Sequence, residues 1–510
     1  MKTLAVPASL QRPDCYYPGQ NLGGTIEQAF CQWSRGNLLH LLTPLVYVPI
    51  FWWQNALHHC RRTRTSTIAA LPEVQDFCDA NLRPNVQYFT VVQGDDGVLE
   101  SVPDNVVVFG AGGSGDIPIP LVCDPHPPGP EVPRELLASF VGQPASGGQG
   151  SWVPSERRYV MDPEGGGTRI RRRMIEAFSG RGDCLIAARP GGGPERLEEF
   201  RSAARRSRFG LCPRGYGLSS YRLYEMFDFG AVPVYIYDEP WLPYWDELDW
   251  REFSVLCHES QIEALPDRLA AISDDQWRNM RQRGRELHYQ YFTREGICRQ
   301  ISRYLQPWYF GHICRSPLPG EIPALEKQWR EHTKLRDDLL AALVDRYGLR
   351  LMVETGTLAG DTVGAAAPRF ERCWTIELHP ANFIRAKRFL THRKNVTPLL
   401  ANSEHALPEI RRWLDRPTLF FLDAHWSGAM TAKGRTECPL LAELRAIGDL
   451  RGGHVVAIDD ARLFAAPPPP EHDAQQWPRL DEIAAAVADW GQLQRIDDLL
   501  LITPTEFPWS

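Results

Sequence analysis

No window of this 510-residue chain approaches the ~20 consecutive apolar residues that a membrane-spanning helix needs. Met1 to Arg12 also lacks the apolar core of a secretory signal, so neither a membrane span nor export is expected. The most apolar segment, Leu38 to Trp53, is broken by a histidine and two prolines and reads as a buried strand with its helix. Twelve cysteines run from Cys15 to Cys438 without one CxxC pair, which points away from a disulfide frame and toward reduced thiols. There is no excess of positive charge either. With a formal net charge of −7, nothing argues for a nucleic-acid partner across the whole chain, and none is expected. Heptad repeats are absent, so nothing predicts a coiled coil. Basic residues gather only in short runs, Arg169 to Arg173 and Arg201 to Arg208, which read as solvated helix faces or as surfaces for a diphosphate or an anionic glycan.

What is present suits a large globular chain. An apolar share of 43% supplies several cores, and the length allows roughly three domains at common domain sizes. Sixteen tryptophans and sixteen tyrosines are expected mostly in those cores, some of them on flat surfaces that stack on sugar rings.

The stretch Arg208 to Asp238 reads as strand, glycine loop, helix and strand. The helix is predicted to start near Ser219 or Ser220, to bury Leu223, Met226 and Phe227, and to end at Gly230. A glycine loop before a helix leaves amides at the positive end of the helix dipole, where a diphosphate can approach the backbone. Arg214, Gly215 and Gly217 lie in that loop, and Ser219, Arg222 and Glu225 share one helix edge. An ordinary turn with an Arg222–Glu225 surface pair is the other reading of the same residues.

Residues 208 to 273 closely resemble the signature region of exostosin-type glycosyltransferases. Phe209, Leu211, Cys212, Pro213, Gly215, Ser220, Arg222 and Glu225 stand at the places of its Phe-x-Leu-Cys-Pro-x-Gly and Ser-x-Arg-x-x-Glu elements, and the likeness continues through LPYWDELDW, FSV and IEALPDRLAAIS. Taken over residues 20 to 312, the resemblance implies an α/β protein in the GT-B arrangement, two facing Rossmann-like domains. It also implies a nucleotide-sugar donor, commonly a UDP-sugar, a glycan acceptor, and inversion without a metal in this half. Ser219, Ser220 and Arg222 would then bind donor phosphates and Glu225 the donor ribose. Relatives with an N-terminal membrane anchor contrast with this chain, so a cytoplasmic enzyme is expected, in association with polysaccharide assembly machinery.

Before this stretch, strands are expected at Leu45 to Trp53, Gln87 to Val92 and Val106 to Phe109, forming an acceptor-side domain over residues 1–133. The loop VVQGDDG differs from the loop many exostosin relatives carry there. An inverting transfer needs a base for the attacking hydroxyl, and Asp95, Asp96 and Asp116 are the candidates. A plain Asp-Gly turn at Asp95 to Gly97 is the competing reading. The donor-side domain, 134–312, starts with a strand at Leu136 to Gly142 and includes a helix at Ile170 to Phe178, a strand at Cys184 to Ala188 and a helix at Trp277 to Tyr291; the chain then crosses back at Tyr304 to Phe310. Gly147 to Gly150 reads as a loop, and Arg189 could reach donor phosphates or face solvent.

A proline-rich linker, 313–330, precedes a long helical pattern at Trp329 to Tyr347 and a third domain, 331–510. Its LMVETGTLAGDTV motif follows an apolar strand and opens a helix, the context of a nucleotide-binding βα unit, and Glu377 ends the next strand where a carboxylate could accept from two ribose hydroxyls. Strands at Thr418 to Leu422 and His454 to Ile458 end in Asp423 and in Asp459 and Asp460. Those three carboxylates would share one crevice and repel unless a cation such as Mg²⁺ or Ca²⁺ joins them; capping of the next helix by Asp459 and Asp460 is the alternative. Residues 335 to 465 look like a class I S-adenosylmethionine-dependent methyltransferase. Glu354, Gly356, Gly360 and Glu377 sit at the cofactor positions, and the aspartates resemble those of metal-dependent O-methyltransferases acting on catechols and macrolide sugars. The insertion His425 to Pro439 departs from that group; His425 in it is a candidate base, a further ligand, or a structural residue. The resulting expectation is a two-activity glycan-assembly enzyme, with a non-catalytic glycan- or partner-binding third domain as the alternative.

Overall fold

The computed structural model describes residues 1–12, 24–38, 41, 43–64, 68–127, 129–145, 151–153, 158–160, 165–191, 193–306, 315–428 and 431–507. The loop expected at Gly147 to Gly150, a domain start near residue 20 and most of the crossing expected at Tyr304 to Phe310 lie outside them. Two compact units emerge, Met1–Tyr244 with Asp249–Phe310, and Trp245–Leu248 with Gly311–Ser510. Among the described residues no helix is long and apolar enough to cross a membrane.

The first unit contains two five-stranded parallel sheets. One runs in the order Lys2–Thr3, Val46–Tyr47, Tyr88–Val92, Val106–Gly110, Ile117–Pro118. The other runs Val255–His258, Val232–Tyr237, Ser207–Pro213, Leu136–Gly142, Cys184–Ala188. Central strands such as VVVFG and VPVYIY are buried along their whole length, as strands of a parallel sheet covered on both faces must be. The strand expected at Leu45 to Trp53 is only Val46–Tyr47. Pro49 has no amide to give a ladder, and Trp52 already opens the helix Trp52–Thr63. The return to the first sheet also comes earlier than expected: the helix Arg294–Tyr304 rests on Ile26–Asn37, and the Tyr304 ring lies 6.1 Å from Phe109.

The second unit holds a seven-stranded sheet in the order Val396–Leu400, Arg372–Glu377, Leu351–Thr355, Thr418–Leu422, Val455–Ile458, Leu499–Thr503, Gln492–Ile496. Counted along the chain this is 3-2-1-4-5-7-6, with the seventh strand antiparallel to both neighbours. Leu499–Thr503 is therefore interior; its run LLLIT is wholly buried, while the edge strand, QLQRI, is largely exposed or half-buried. The helical pattern Trp329 to Tyr347 is two helices, Ile322–His332 and Asp337–Tyr347, and the first takes up the end of the expected linker. The ladder pairs Thr355 with Ile376 and Leu422, and Leu422 with Ile458. Gly356, Glu377, Asp423 and Asp459 thus leave the sheet at one carboxyl edge, where α/β ligand crevices form.

Candidate functional site

In the first unit a cleft of about 760 Å³ opens where the two sheets face each other, lined by Asp95, His126, Arg171, Gly215, Ser219, Ser220, Arg222 and Glu225 among others. Its floor is the predicted helix, Tyr221–Phe229. Ser220 stands extended at the N-cap without a side-chain cap bond, and Gly230, in the left-handed region at φ 63°, ends the helix with its amide on Met226 and Phe227 carbonyls. From the opposite sheet comes the turn Gly94 to Gly97, closed by the Gly97 amide on the Gly94 carbonyl at 3.1 Å. The Asp-Gly turn and the cleft position are therefore both realised. A Cβ on Gly217 would sit 2.0 Å from the Gly112 carbonyl and 2.8 Å from the Asp95 carboxyl carbon, so only glycine lets the two loops meet.

The three candidate bases separate. Asp95 lines the cleft; burial first, and then the neighbouring Asp96 charge, push its carboxyl up to about 7, against the opposing hydrogen bond from the Gly217 amide and the charge of Arg214. Asp96 is buried and accepts the Tyr216 hydroxyl at 2.8 Å. Asp116 is buried in the first sheet, its carboxylate accepting the Val108 amide at 3.0 Å.

The donor-side residues also differ from one another. Arg214 is buried and paired with Asp238 at 2.7 Å. Ser219 is buried, its hydroxyl 3.3 Å from that of Tyr224 and its amide on the Gly112 carbonyl. Arg222 makes no surface pair with Glu225: its guanidinium lies 4.8 Å from the Phe140 ring centre and donates to the Val141 carbonyl at 2.8 Å. Glu225 instead accepts from His126 Nε2 at 3.1 Å, while Arg201 Nε donates to His126 Nδ1 at 3.3 Å. With Nδ1 facing the Arg201 donor, Nε2 is the ring nitrogen that gives its proton to Glu225. His126 escaped the sequence reading because its partner is 99 residues away; the only local hint is its place between Pro125 and Pro127. Arg189, exposed, pairs with Glu199 and is not among the residues lining the cleft. In the run Arg169 to Arg173, Arg169 and Arg173 reach Glu259 and Glu263, but Arg171 turns inward to the cleft.

The second unit has a smaller pocket of about 130 Å³ at the sheet's carboxyl edge. Gly356 and Glu377 line it. Gly356 is left-handed at φ 81°, and a Cβ there would lie 2.1 Å from the Asp423 carbonyl oxygen. The Glu377 carboxylate accepts the Leu358 amide at 2.8 Å and the His379 amide at 2.7 Å, one on each oxygen, which leaves each oxygen a lone pair. Glu354 does not line the pocket. It is buried behind the motif, bonded to Thr375 and to the Val363 amide, and burial pushes it up to about 8. Gly360, at φ 83°, caps the helix Asp361–Ala366.

Asp423, His425 and Asp460 each offer a donor atom within 4.8 Å of the others. His425 Nε2 lies 2.9 Å from Asp460 and 3.3 Å from Asp423, and its Nδ1 is 3.0 Å from the Ser427 hydroxyl. Asp459, expected in the set, instead accepts the Asp460 amide at 2.7 Å, while Asp460 sits in the left-handed region at φ 56°. Burial and the Asp459 and Asp460 charges hold Asp423 well above the usual carboxylate range. Burial also acts to raise Asp460, but the His425 hydrogen bond and Arg462 outweigh it and bring it to about 2. The insertion is tied down by Glu437, which accepts from Lys433, His472, the Asp473 amide and the Trp477 indole. This anchor brings Thr431, Gly434 and Arg435 to the pocket wall.

A structure of an rRNA methylase from Streptococcus thermophilus is 11% identical, with a TM-score of 0.21, covering 33% of this chain and 94% of that one. A probable glucuronosyltransferase of Oryza sativa subsp. japonica is 30% identical over 169 residues, 32% of this chain and 36% of that protein. Exostosin-1 of Bos taurus is 28% identical over 121 residues, 24% of this chain and 16% of its own. The chain thus matches about a third or less of the length of these curated relatives. Residues 105–272 match the model of the Exostosin GT47 domain, with Gly215, Arg222 and Glu225 of the cleft inside the matched span.

Proposed function

We propose that the chain is a glycan-assembly enzyme in which the first unit transfers a sugar from a nucleotide-sugar, a UDP-sugar, to a glycan acceptor with inversion, and the second methylates a sugar hydroxyl. One observation carries the first reading. Within a unit that contains the GT47 domain, a carboxyl pushed up to about 7 faces the glycine loop and helix N-terminus across one cleft. Ionised Asp95 takes the proton of the acceptor hydroxyl as that oxygen bonds to the sugar carbon; the bond from that carbon to the diphosphate breaks, and its electrons leave with the nucleoside diphosphate. Glu225, steadied by His126, is suited to the donor ribose.

For the second unit, the close approach at Gly356 and the lone pairs left on Glu377 fit S-adenosylmethionine, and two carboxylates with an imidazole fit a divalent cation. When bound, the cofactor supplies an electrophilic methyl group and the cation a hold on two adjacent hydroxyl oxygens. Glu377 would hold the cofactor's ribose, Asp423, His425 and Asp460 would hold the cation, and the loop pinned by Glu437 would exclude water.

Calorimetric titration of the full chain with UDP, and separately with S-adenosylhomocysteine after EDTA and after Mg²⁺, tests both halves without knowledge of the acceptor. One equivalent of each, the first lost in Glu225→Ala and the second in Glu377→Ala, is the expected result. Binding of UDP alone would withdraw the methyltransferase reading and leave a recognition module.

A further inference from the structure

We infer that Arg171 is the residue that receives the donor's diphosphate, an inference that rests on the donor site proposed above. The other arginines of the first unit's site already have occupations. Arg222 is laid over Phe140 and bonded to the Val141 carbonyl. Arg214 is paired with Asp238. Arg196 donates to the Gly142 and Pro190 carbonyls, and Arg201 to Glu198 and His126.

Arg171 shares an unpartnered Nε with Arg214 and Arg222, but among the described residues it has neither the carboxylate that pairs with Arg214 nor the aromatic ring that lies under Arg222. It projects from the helix Gly166–Phe178 into the cleft and is 8% exposed. Among the described residues it has no ion pair, its Nε has no hydrogen-bond partner, and one Nη donates to the Ala145 carbonyl at 3.1 Å. Its other Nη lies 3.8 Å from where a Cβ of Gly215 would be, beside the loop that leads into the helix Tyr221–Phe229. A guanidinium enclosed this far without a carboxylate is costly, and nearby Arg222 and Arg214 add to the cost. A bound anion removes that cost, and a diphosphate presents oxygens to the guanidinium fork while its other side meets the loop amides. From the sequence the run Arg169 to Arg173 reads as a solvated face or a diphosphate surface without distinguishing its members; Arg169 and Arg173 are taken up by Glu259 and Glu263.

Calorimetry on the full chain with two probes, UDP and uridine, isolates the phosphate contribution. A charge-assisted hydrogen bond lost from an enclosed site corresponds to about ten- to a hundredfold in affinity. Arg171→Gln should therefore weaken UDP by that factor and leave uridine unchanged, and Arg171→Lys should recover part of the loss. Equal weakening of UDP and uridine in Arg171→Gln would assign the residue a structural role, and unchanged UDP affinity would remove it from the site; either overturns the inference. A wild-type chain that binds neither probe would instead bring down the donor-site reading on which it stands.

Discussion

Replacing Gly356 by alanine tests the geometry of the second pocket most directly. The residue is left-handed at φ 81°, which costs a residue with a Cβ about 1–2 kcal/mol. The new Cβ would also start 2.1 Å from the Asp423 carbonyl oxygen and 2.6 Å from its carbon, so the backbone must withdraw. Neither side yields freely: the Asp423 amide donates to Thr355 at 3.0 Å and the Gly356 amide to Ile376 at 3.0 Å. Sacrificing one such bond adds about 1 kcal/mol or somewhat more, for a total of about 2–4 kcal/mol. In a unit of this size that lowers the melting temperature by about 5–15 °C. Gly348 is the control. It too is left-handed, at φ 62°, but nothing lies within 4 Å of its would-be Cβ, so Gly348→Ala carries only the conformational cost. Calorimetric melting of the two variants compares them within one unit. Equal shifts would refute the claim that the Asp423 carbonyl, and not backbone conformation alone, requires glycine at 356.

Asp95→Asn should lower sugar transfer by about 10²- to 10⁴-fold with UDP affinity unchanged; wild-type turnover would exclude Asp95 as the base. Because the carboxyl acts in its ionised form and is pushed up to about 7, the wild-type transfer rate should rise with pH through about 7 and be lost below it, which a pH–rate profile with saturating donor checks. Glu225→Ala should abolish UDP binding measured by calorimetry, and retained affinity would remove the ribose assignment. Asp460→Asn keeps a residue type that tolerates φ 56° while removing the charge that His425 and Arg462 stabilise, so it should weaken Mg²⁺ or Mn²⁺ titration by at least about tenfold and lower the melting temperature somewhat; unaltered cation affinity would dissolve the proposed ligand set.

Much of the fold was readable because it is written in local pattern. Apolar runs bounded by polar loops marked Leu136–Gly142 and Thr418–Leu422 residue for residue, and the serine before and glycine after Tyr221–Phe229 marked that helix. Reading failed where pattern was continuous across a break. The apolar run at Leu45 to Trp53 hides a proline stop and a helix start, and the periodicity of Trp329 to Tyr347 runs through the bend between two helices. Strand position in a sheet was invisible as well, since Leu499–Thr503 looks the same alone whether it lies at an edge or between neighbours.

The site divides along the same line. By itself the sequence determined which residues stand at strand ends and helix starts: Gly215, Ser220 and Gly356, Glu377, Asp423, Asp459. A parallel ladder carries consecutive strand ends to one edge, so local spacing sufficed. Only tertiary structure decided which of those side chains were already spent, and on what. Ser219 and Arg214 turn to partners in the protein, Asp459 to the Asp460 amide, and Arg222 to an aromatic ring. His126 and His425 join carboxylates 99 and 35 residues away, and Arg171 alone of its run faces inward. Such choices depend on burial and on partners distant in the chain, two quantities that short-range pattern does not contain.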